Sequence, residues 1–195
     1  MPKIRAENTT KREIIITKAA KLFKEKGYKA ASMRELASLI GVEAASLYNH
    51  ISSKGDLLRL ICFEVSTVYY ASINAIEKDN KNSISKIEKL LRFHVSAMID
   101  NYEKVYVTDN NWRNLEEPYL SEYRELRRNY RKKFTAIVQQ GIEENELKQI
   151  DANSIVMIFI NAIGAIDQWH RIIHKVDSQT FEDIIVAVLI DGVRK

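Results

Sequence analysis

Cysteine, proline and glycine are all scarce in this chain. Its 195 residues include one cysteine, two prolines and six glycines. A single cysteine, Cys62, excludes an internal disulfide, and its apolar sequence neighbours favour a buried free thiol. The scarcity of proline and glycine, the residues that most often interrupt regular structure, favours long helices over many short strands.

Long uncharged apolar segments are also missing. No run of about 18 apolar residues is free of charge, so we expect no membrane-spanning helix. The first residues, MPKIRAENTTKR, lack the apolar core and cleavage site of a secretory signal. Hydrophobic residues make up 46% of the chain and charged residues 29%, as in an ordinary globular protein. We therefore expect a cytoplasmic protein.

Sequence motifs of common enzymes are absent as well. There is no nucleophile elbow, no glycine-rich phosphate loop and no cysteine pair. His170 and His174, four residues apart on a predicted helix, could share a metal ion. Because no carboxylate lies near them on that face, we favour two exposed residues and expect neither metal nor cofactor. A helical-bundle enzyme or metal-binding protein is the alternative from another functional class.

Apolar residues recur at helical spacing throughout the chain, and no alternating strand pattern competes with them. Thr10 and Glu13 form a capping box that opens a first helix, which Gly27 ends. Ser53 caps a fourth helix that runs to about residue 78. Further helices are predicted at about 84–104, from Pro118 to about 145, at about 151–174 and at about 178–193, with a short segment at about 105–114. We predict an all-α protein of about nine helices, with an N-terminal domain at 1–55 and a C-terminal domain at 56–195.

Residues 32–50, SMRELASLIGVEAASLYNH, predict two short helices joined by a tight turn. Ser32 and Glu35 form a second capping box. Gly41 supplies the left-handed backbone that ends a helix, and Val42 and Leu47 are expected to fill the gap between the two helices. This arrangement is a helix-turn-helix, whose second helix enters a DNA groove.

The outward face of that second helix carries small or hydrogen-bonding side chains, which suit base edges, thymine methyl groups and phosphates. Residues 1–55 carry a net charge of +6 and the remaining residues a net charge of −2. A localised positive charge beside a recognition helix is typical of a phosphate-binding module. We therefore predict double-stranded DNA as a partner. The candidate DNA-binding residues are Arg34, Ala44, Ala45, Ser46, Tyr48, Asn49, His50 and Lys54.

The chain resembles the tetracycline-repressor (TetR) family of bacterial transcription regulators over its whole length. The resemblance is sharpest in residues 10–60. There a small residue is followed in order by Leu, Tyr, any residue and His, and Lys54 comes a few positions after the His. It implies a homodimer with a variable ligand domain, and a phosphate contact by Lys54 at the start of the fourth helix. Two departures stand out. Ile51 replaces the commoner aromatic residue, and Glu43-Ala44-Ala45, with Glu43 as a helix cap, opens the recognition helix. Base choice is then expected to depend on methyl contacts and DNA shape.

Three helical faces of the C-terminal half carry aromatic side chains with a few polar ones, as a pocket for a mostly apolar effector requires. Plain core packing is the alternative interpretation. Asn161, in the middle of an apolar helix, requires a partner: a ligand, a water molecule or a second subunit. The candidate ligand-binding residues are His94, Met98, Tyr102, Trp112, Tyr123, Arg127, Tyr130, Phe134, Asn161, Gln168 and Trp169.

Within the family, this half is similar to regulators that sense acyl-coenzyme A thioesters. The similarity lies in Trp112-Arg113, a tyrosine- and arginine-rich seventh helix, and Trp169. It implies an acyl-coenzyme A effector with arginines near its phosphates. A solvated face is the other interpretation of the arginines at 124, 127, 128 and 131.

The last helix is apolar over most of its circumference, which predicts that it is buried on more than one side. The family resemblance implies burial against a second subunit with two-fold symmetry. The candidate dimer residues are Phe181, Ile184, Ile185, Val188 and Leu189. We predict a repressor released from a palindromic operator by its effector; a regulator without a small ligand is the alternative. Tyr48→Phe and Lys54→Ala are expected to weaken operator binding without unfolding the protein.

Overall fold

A computed structural model describes residues 10–164 and 177–195 of the chain. In that part the structure is helical, and β-structure is limited to one isolated bridge between Leu147 and Arg194. The helices are α1 (Lys11–Lys26), α2 (Met33–Ile40), α3 (Ala44–Tyr48), α4 (Lys54–Glu77), α5 (Ser83–Asp100), α6 (Tyr102–Asn111), a 3₁₀ turn (Trp112–Asn114), α7 (Tyr119–Glu143), α8 (Ala152–Gly164) and α9 (Ser178–Val193). The predicted all-α class is confirmed.

Two predicted helix boundaries need comment. The helix predicted at about 84–104 ends earlier, at Asp100, because Asn101 leaves the helical conformation with φ −126° and ψ 37°. Tyr102, which the predicted helix at about 84–104 includes, instead begins α6. The helix predicted at about 151–174 is seen to Gly164, and its remainder lies outside the described residues.

The chain divides into two compact units. The first runs to Val65 and includes Glu103–Tyr123, and the second comprises Ser66–Tyr102 and Arg124–Lys195. This division cuts α4 ten residues after the boundary predicted from the sequence and assigns α6 from Glu103 onward to the first unit. Independent folding on either side of residue 55 stays a prediction.

The first unit has its own hydrophobic core. Helix α1 begins with the predicted capping box, in which the Glu13 amide donates to Thr10 Oγ1 and the Thr10 amide donates to Glu13 Oε2. The inner face of α1 packs with side chains from α2, α3 and the first turns of α4. The large, fully buried members of this core are Phe23, Leu36, Leu47, Ile51, Leu57, Leu58 and Ile61. Cys62, the chain's single cysteine, is buried among them, as predicted.

In the second unit, α5 packs against both α8 and α9. Its buried face includes Ile87, Leu90, Leu91 and Val95. A set of ionic contacts joins α5 to the start of α9: Arg92 donates to Glu182 Oε1 at 3.0 Å and to Asp183 Oδ1 at 2.6 Å. The Ser96 hydroxyl donates to the other oxygen of Glu182 at 2.8 Å. Helix α9 is thus held to α5 by polar as well as apolar contacts.

Candidate functional site

Helix α2 begins at the capping box predicted from the sequence. The Glu35 amide donates to Ser32 Oγ at 3.3 Å, and the Ser32 amide donates to Glu35 Oε2 at 3.0 Å. The Lys26 ammonium also binds the Glu35 carboxylate. The hydrogen bonds from Lys26 and Ser32 lower the pKa of Glu35 to about 2. Gly41 ends the helix in the left-handed region, with φ 78° and ψ 34°.

Helix α3 is anchored by two fully buried side chains, Leu47 and Ile51. Ala44 is half-buried and packs against the same core. Tyr48, by contrast, leaves 52% of its surface exposed. The exposed candidates around this helix are Arg34, Ala45, Ser46, Tyr48, Asn49 and His50. The surface assembled by α3 is therefore polar, as a base- and phosphate-reading surface requires.

Two details around α3 differ from the sequence-based interpretation. Val42 does not fill the gap between the helices, because the tight turn after Gly41 leaves 40% of its surface exposed. Leu47, the other residue predicted there, is buried as expected. Glu43 occupies the N-cap position, but its side chain makes no capping hydrogen bond. The predicted position of Glu43 as the cap of α3 is therefore confirmed, but its carboxylate does not contribute to the cap.

A surface hollow of about 160 Å³ lies where α1 meets α3. Its floor includes the buried side chains Ile15 and Leu47. Lys11 lines it together with two recognition-helix candidates, Ser46 and His50. Lys11 is therefore a further candidate for phosphate contact. The positive charge of Lys11 could be read from the sequence, but the position of Lys11 beside α3 depends on how α1 packs.

Lys54 stands at the start of α4, as predicted, and Ser53 caps this helix by accepting from the Asp56 amide at 3.0 Å. The Lys54 ammonium is engaged within the protein. It donates to the carbonyl oxygens of Lys29 at 3.1 Å and Ala31 at 3.0 Å. It also lies 4.8 Å from the ring centroid of Tyr28. The expected phosphate contact stays a prediction. Two of the three N–H donors of the ammonium already bind carbonyl oxygens of the protein.

A buried polar pair lies in the second unit. His94 Nε2 and the Tyr130 hydroxyl are 2.7 Å apart. Burial lowers the pKa of His94 to about 4 and raises the pKa of Tyr130, because each charged form would lose its hydration. Rings from α4, α5 and α7 surround His94, with centroid distances of 4.8 Å to Tyr69 and 6.2 Å to Phe134. Neutral imidazole is the form that this environment selects.

The other predicted ligand residues have several different environments. Met98 and Tyr102 are buried in the second unit. Trp112 and Tyr123 belong to the first unit, where their ring centroids are 5.9 Å apart. Gln168 and Trp169 lie outside the described residues, as do His170 and His174.

The structure places two polar features of this half at or near the surface. Asn161 is predicted to bind a ligand, a water molecule or a second subunit, and this stays a prediction. It is exposed, and its side-chain amide donates to the carbonyl of Met157, one turn earlier, at 2.8 Å. Of the four arginines on α7, three are exposed (Arg124, Arg128 and Arg131), and Arg127 is half-buried.

Helices α8 and α9 both expose apolar side chains. Ile184 and Val188 on α9 leave 51% and 66% of their surfaces exposed, although Val186 and Ile190 on the same helix are buried. Phe181, Ile185 and Leu189 are half-buried. On α8, Met157 and Ile158 are exposed by 58% and 57%. Apolar surface of this extent on two helices is typical of an interface.

Within residues 10–164 and 177–195, no group of three or more potential metal ligands occurs. In the same ranges, none of the helices is long and apolar enough to cross a membrane.

Comparisons with known proteins match both halves of the chain. Residues 15–61 match the family model described as "Bacterial regulatory proteins, tetR family". Residues 80–193 match the model described as "Tetracyclin repressor-like, C-terminal domain". The second match alone covers more than half of the chain.

Individual relatives agree with these matches. The HTH-type transcriptional repressor KstR2 of Mycobacterium tuberculosis is 21% identical, over 100% of this chain and 98% of its own. A structure of the ketosteroid transcriptional regulator KstR2 of M. tuberculosis superposes with a TM-score of 0.90, at 20% identity and covering 99% of this chain and 100% of its own. The structure of AibR in complex with isovaleryl coenzyme A and operator DNA superposes with a TM-score of 0.82, at 18% identity, covering 93% of this chain and 98% of its own. The chain belongs to the TetR family of transcriptional regulators, whose members are not enzymes.

Proposed function

We propose that this protein is a homodimeric repressor that binds a palindromic DNA operator and leaves it when a small, largely apolar effector binds. The observation that carries the proposal is the surface of α3. A helix anchored by Leu47 and Ile51 presents Ser46, Tyr48 and His50 to solvent, on the module that holds the excess positive charge. Side chains of this kind position a recognition helix on phosphates and read base edges.

The operator is best found by selecting from a pool of random duplex DNA with the purified protein. We expect an inverted repeat, because a two-fold dimer presents the same helix twice. Binding should weaken steeply as salt is raised, since phosphate contacts release counterions. Selection of no common sequence, or of a sequence without internal symmetry, would contradict the proposal.

Tyr48→Phe tests the surface of α3 directly. We expect operator affinity to fall by about tenfold if the hydroxyl donates to a phosphate or base. The unfolding temperature should not change, because half of this side chain is exposed. Tyr119→Phe, at another exposed tyrosine, is the matched control and should bind the operator normally. Equal affinities for all three proteins would remove Tyr48 from the recognition surface.

We infer that the effector is bound by the second unit, with the His94–Tyr130 pair as its polar recognition element. A neutral imidazole and a phenol can bind a carbonyl or hydroxyl group of an otherwise apolar molecule. Aromatic surroundings suit the apolar remainder of such a molecule. The AibR complex with isovaleryl coenzyme A supports an acyl-coenzyme A thioester as the class to test first.

Calorimetry with acyl-coenzyme A thioesters of increasing chain length tests this assignment. We expect a bound thioester to reduce operator affinity by about 5–150-fold, the range usual for coupled sites. Tyr130→Phe keeps the ring and removes the hydroxyl, so it should weaken effector binding but leave operator binding intact. If no thioester produces heat or releases DNA, the acyl-coenzyme A assignment fails, and the DNA-binding assignment is unaffected.

A further inference from the structure

The Lys54 ammonium contacts three groups, all of which belong to the connection between α1 and α2. These are the carbonyl oxygens of Lys29 and Ala31, at 3.1 and 3.0 Å, and the ring of Tyr28, 4.8 Å from the ammonium. The connection itself is a tight turn that begins at Gly27 with φ 84°. A residue at the start of α4 therefore closes a turn more than 20 residues earlier in the chain.

The backbone of this turn leaves the carbonyl groups of Lys29 and Ala31 open to an outside partner. Both lie beyond the end of α1 and before the start of α2, outside the regular hydrogen bonding of either helix. Ala31 is itself buried, and a buried carbonyl without a hydrogen bond is costly. A lysine ammonium satisfies both carbonyls at once, because it carries three N–H donors that can rotate into place.

The residue after Ala31 is Ser32, the N-cap of α2. The position of the Ala31 carbonyl therefore helps to set where α2 begins and in which direction it runs. Helix α3 follows after the three residues Gly41, Val42 and Glu43 and packs directly against α2. Any displacement of α2 would thus be passed on to the exposed side chains of α3.

We propose that Lys54 is a positioning residue for the recognition helix and that its ammonium clasps the first turn of α4 to the carbonyls that precede α2. With two of its three N–H groups on carbonyls and the Tyr28 ring beside it, Lys54 acts on DNA through the orientation of α2 and α3. Arginine cannot replace it, because the planar guanidinium holds its donors in a fixed fork. The clasp joins residues of this chain alone, so the inference does not depend on the effector.

Thermal unfolding of the DNA-free protein separates this role from that of a phosphate anchor. Lys54→Met keeps the aliphatic stem and removes the donors, and we expect the unfolding temperature to fall by about 3–6 °C. Lys54→Arg keeps the charge, and its unfolding temperature should fall by a similar amount. Lys18→Met, at an exposed lysine of α1, removes the same charge and should change the temperature by about 1 °C or less.

Hydrogen exchange locates the effect. The amides of Glu35 and Leu36, which donate to the side chain and carbonyl of Ser32, should exchange faster in Lys54→Met. Amides of α5 should keep their protection. A clasp predicts faster exchange only at the start of α2, whereas a general loss of stability predicts faster exchange throughout the protein.

Operator binding supplies the third measurement, with the sequence selected for the wild-type protein. Lys54→Met should bind about tenfold more weakly with an unchanged dependence on salt, whereas loss of a phosphate anchor reduces the salt slope by about one. The proposal is overturned if Lys54→Met unfolds at the wild-type temperature with normal exchange at Glu35 and Leu36. It is overturned equally if Lys54→Arg is indistinguishable from the wild-type protein. If Lys54→Met does not fold, the same measurements on Lys54→Arg test the proposal.

Discussion

His94 is a titratable group in the interior of the second unit, and its burial makes stability depend on pH. Its pKa is about 4 in the folded protein and about 6.5 when exposed, because burial disfavours the charged form. Between these values the unfolded chain binds more protons, so the free energy of unfolding rises with pH. We expect His94 to contribute an increase of about 2 kcal/mol between pH 5 and pH 7.

Urea unfolding of His94→Gln measures this contribution. Glutamine can still bind the Tyr130 hydroxyl but does not titrate, so the variant should lose most of the increase between pH 5 and pH 7. His50→Gln changes an exposed histidine and is the control. A His94→Gln variant with the same dependence on pH as the wild-type protein would show that His94 is accessible to protons.

At the level of residues, local chemistry was predictable and distant contacts were not. The four-residue spacing of His94 and Met98 placed both on the buried face of α5. The two carbonyl contacts of Lys54 join residues 25 and 23 positions apart, so no local pattern reveals them. The exposure of Asn161 was not predictable, because an apolar helix face exposed on its own chain has the same sequence pattern as one buried within it.

At the level of elements, helix starts were the most predictable feature, because a cap is formed by residues three positions apart. Glu35→Gln tests the cap of α2, since glutamine can also complete a capping box. The folded pKa of Glu35 is about 2, below its ordinary value of 4.5, so its stabilising charge is present above pH 4.5 and lost as pH falls towards 2. Thermal unfolding between pH 5 and pH 2.5 should therefore be less pH-dependent in the variant. A steeper dependence in Glu35→Gln would contradict the assigned Lys26 and Ser32 contacts.

Helix α7 contains a buried glycine, Gly141, whose role the sequence did not reveal. A methyl group at this position would lie 2.9 Å from Ser83 Cβ, at the start of α5, and 3.0 Å from Leu147 Cδ1. Alanine is the better helix former, by about 1 kcal/mol. We nevertheless expect Gly141→Ala to destabilise the protein by about 1–3 kcal/mol, because α5 must move aside.

Gly192→Ala is the matched control for this prediction. Gly192 also lies in a helix, and an added methyl group there meets nothing within 4 Å. Urea unfolding should place Gly192→Ala at or above the wild-type stability and Gly141→Ala below it. The reverse order would mean that α5 and α7 do not approach as closely as described.

At the level of the whole molecule, the exposed apolar surface indicates that one chain is not the complete unit. Ile184 and Val188 on α9, with Ile158 on α8, are each more than half exposed. Burying such a side chain completely from water contributes about 1.5–3 kcal/mol, so covering the exposed half of each contributes roughly half of that. The sequence predicted an interface from the apolar circumference of the last helix. The sequence could not show which face of α9 stays exposed, because the burial of Val186 and Ile190 depends on how α9 packs in its own chain.

Val188→Glu tests the interface directly. A carboxylate placed where two symmetry-related helices meet would face its own copy, and both charges would lose their hydration. We expect sedimentation at about 10 μM to change from a dimer to a monomer, with operator affinity lost because each half-site alone binds weakly. Val68→Glu makes the same change at an exposed valine of α4 and should remain dimeric. Since a monomer presents a single recognition helix, a Val188→Glu protein that stays dimeric and binds the full operator would place the two-fold interface elsewhere on the chain.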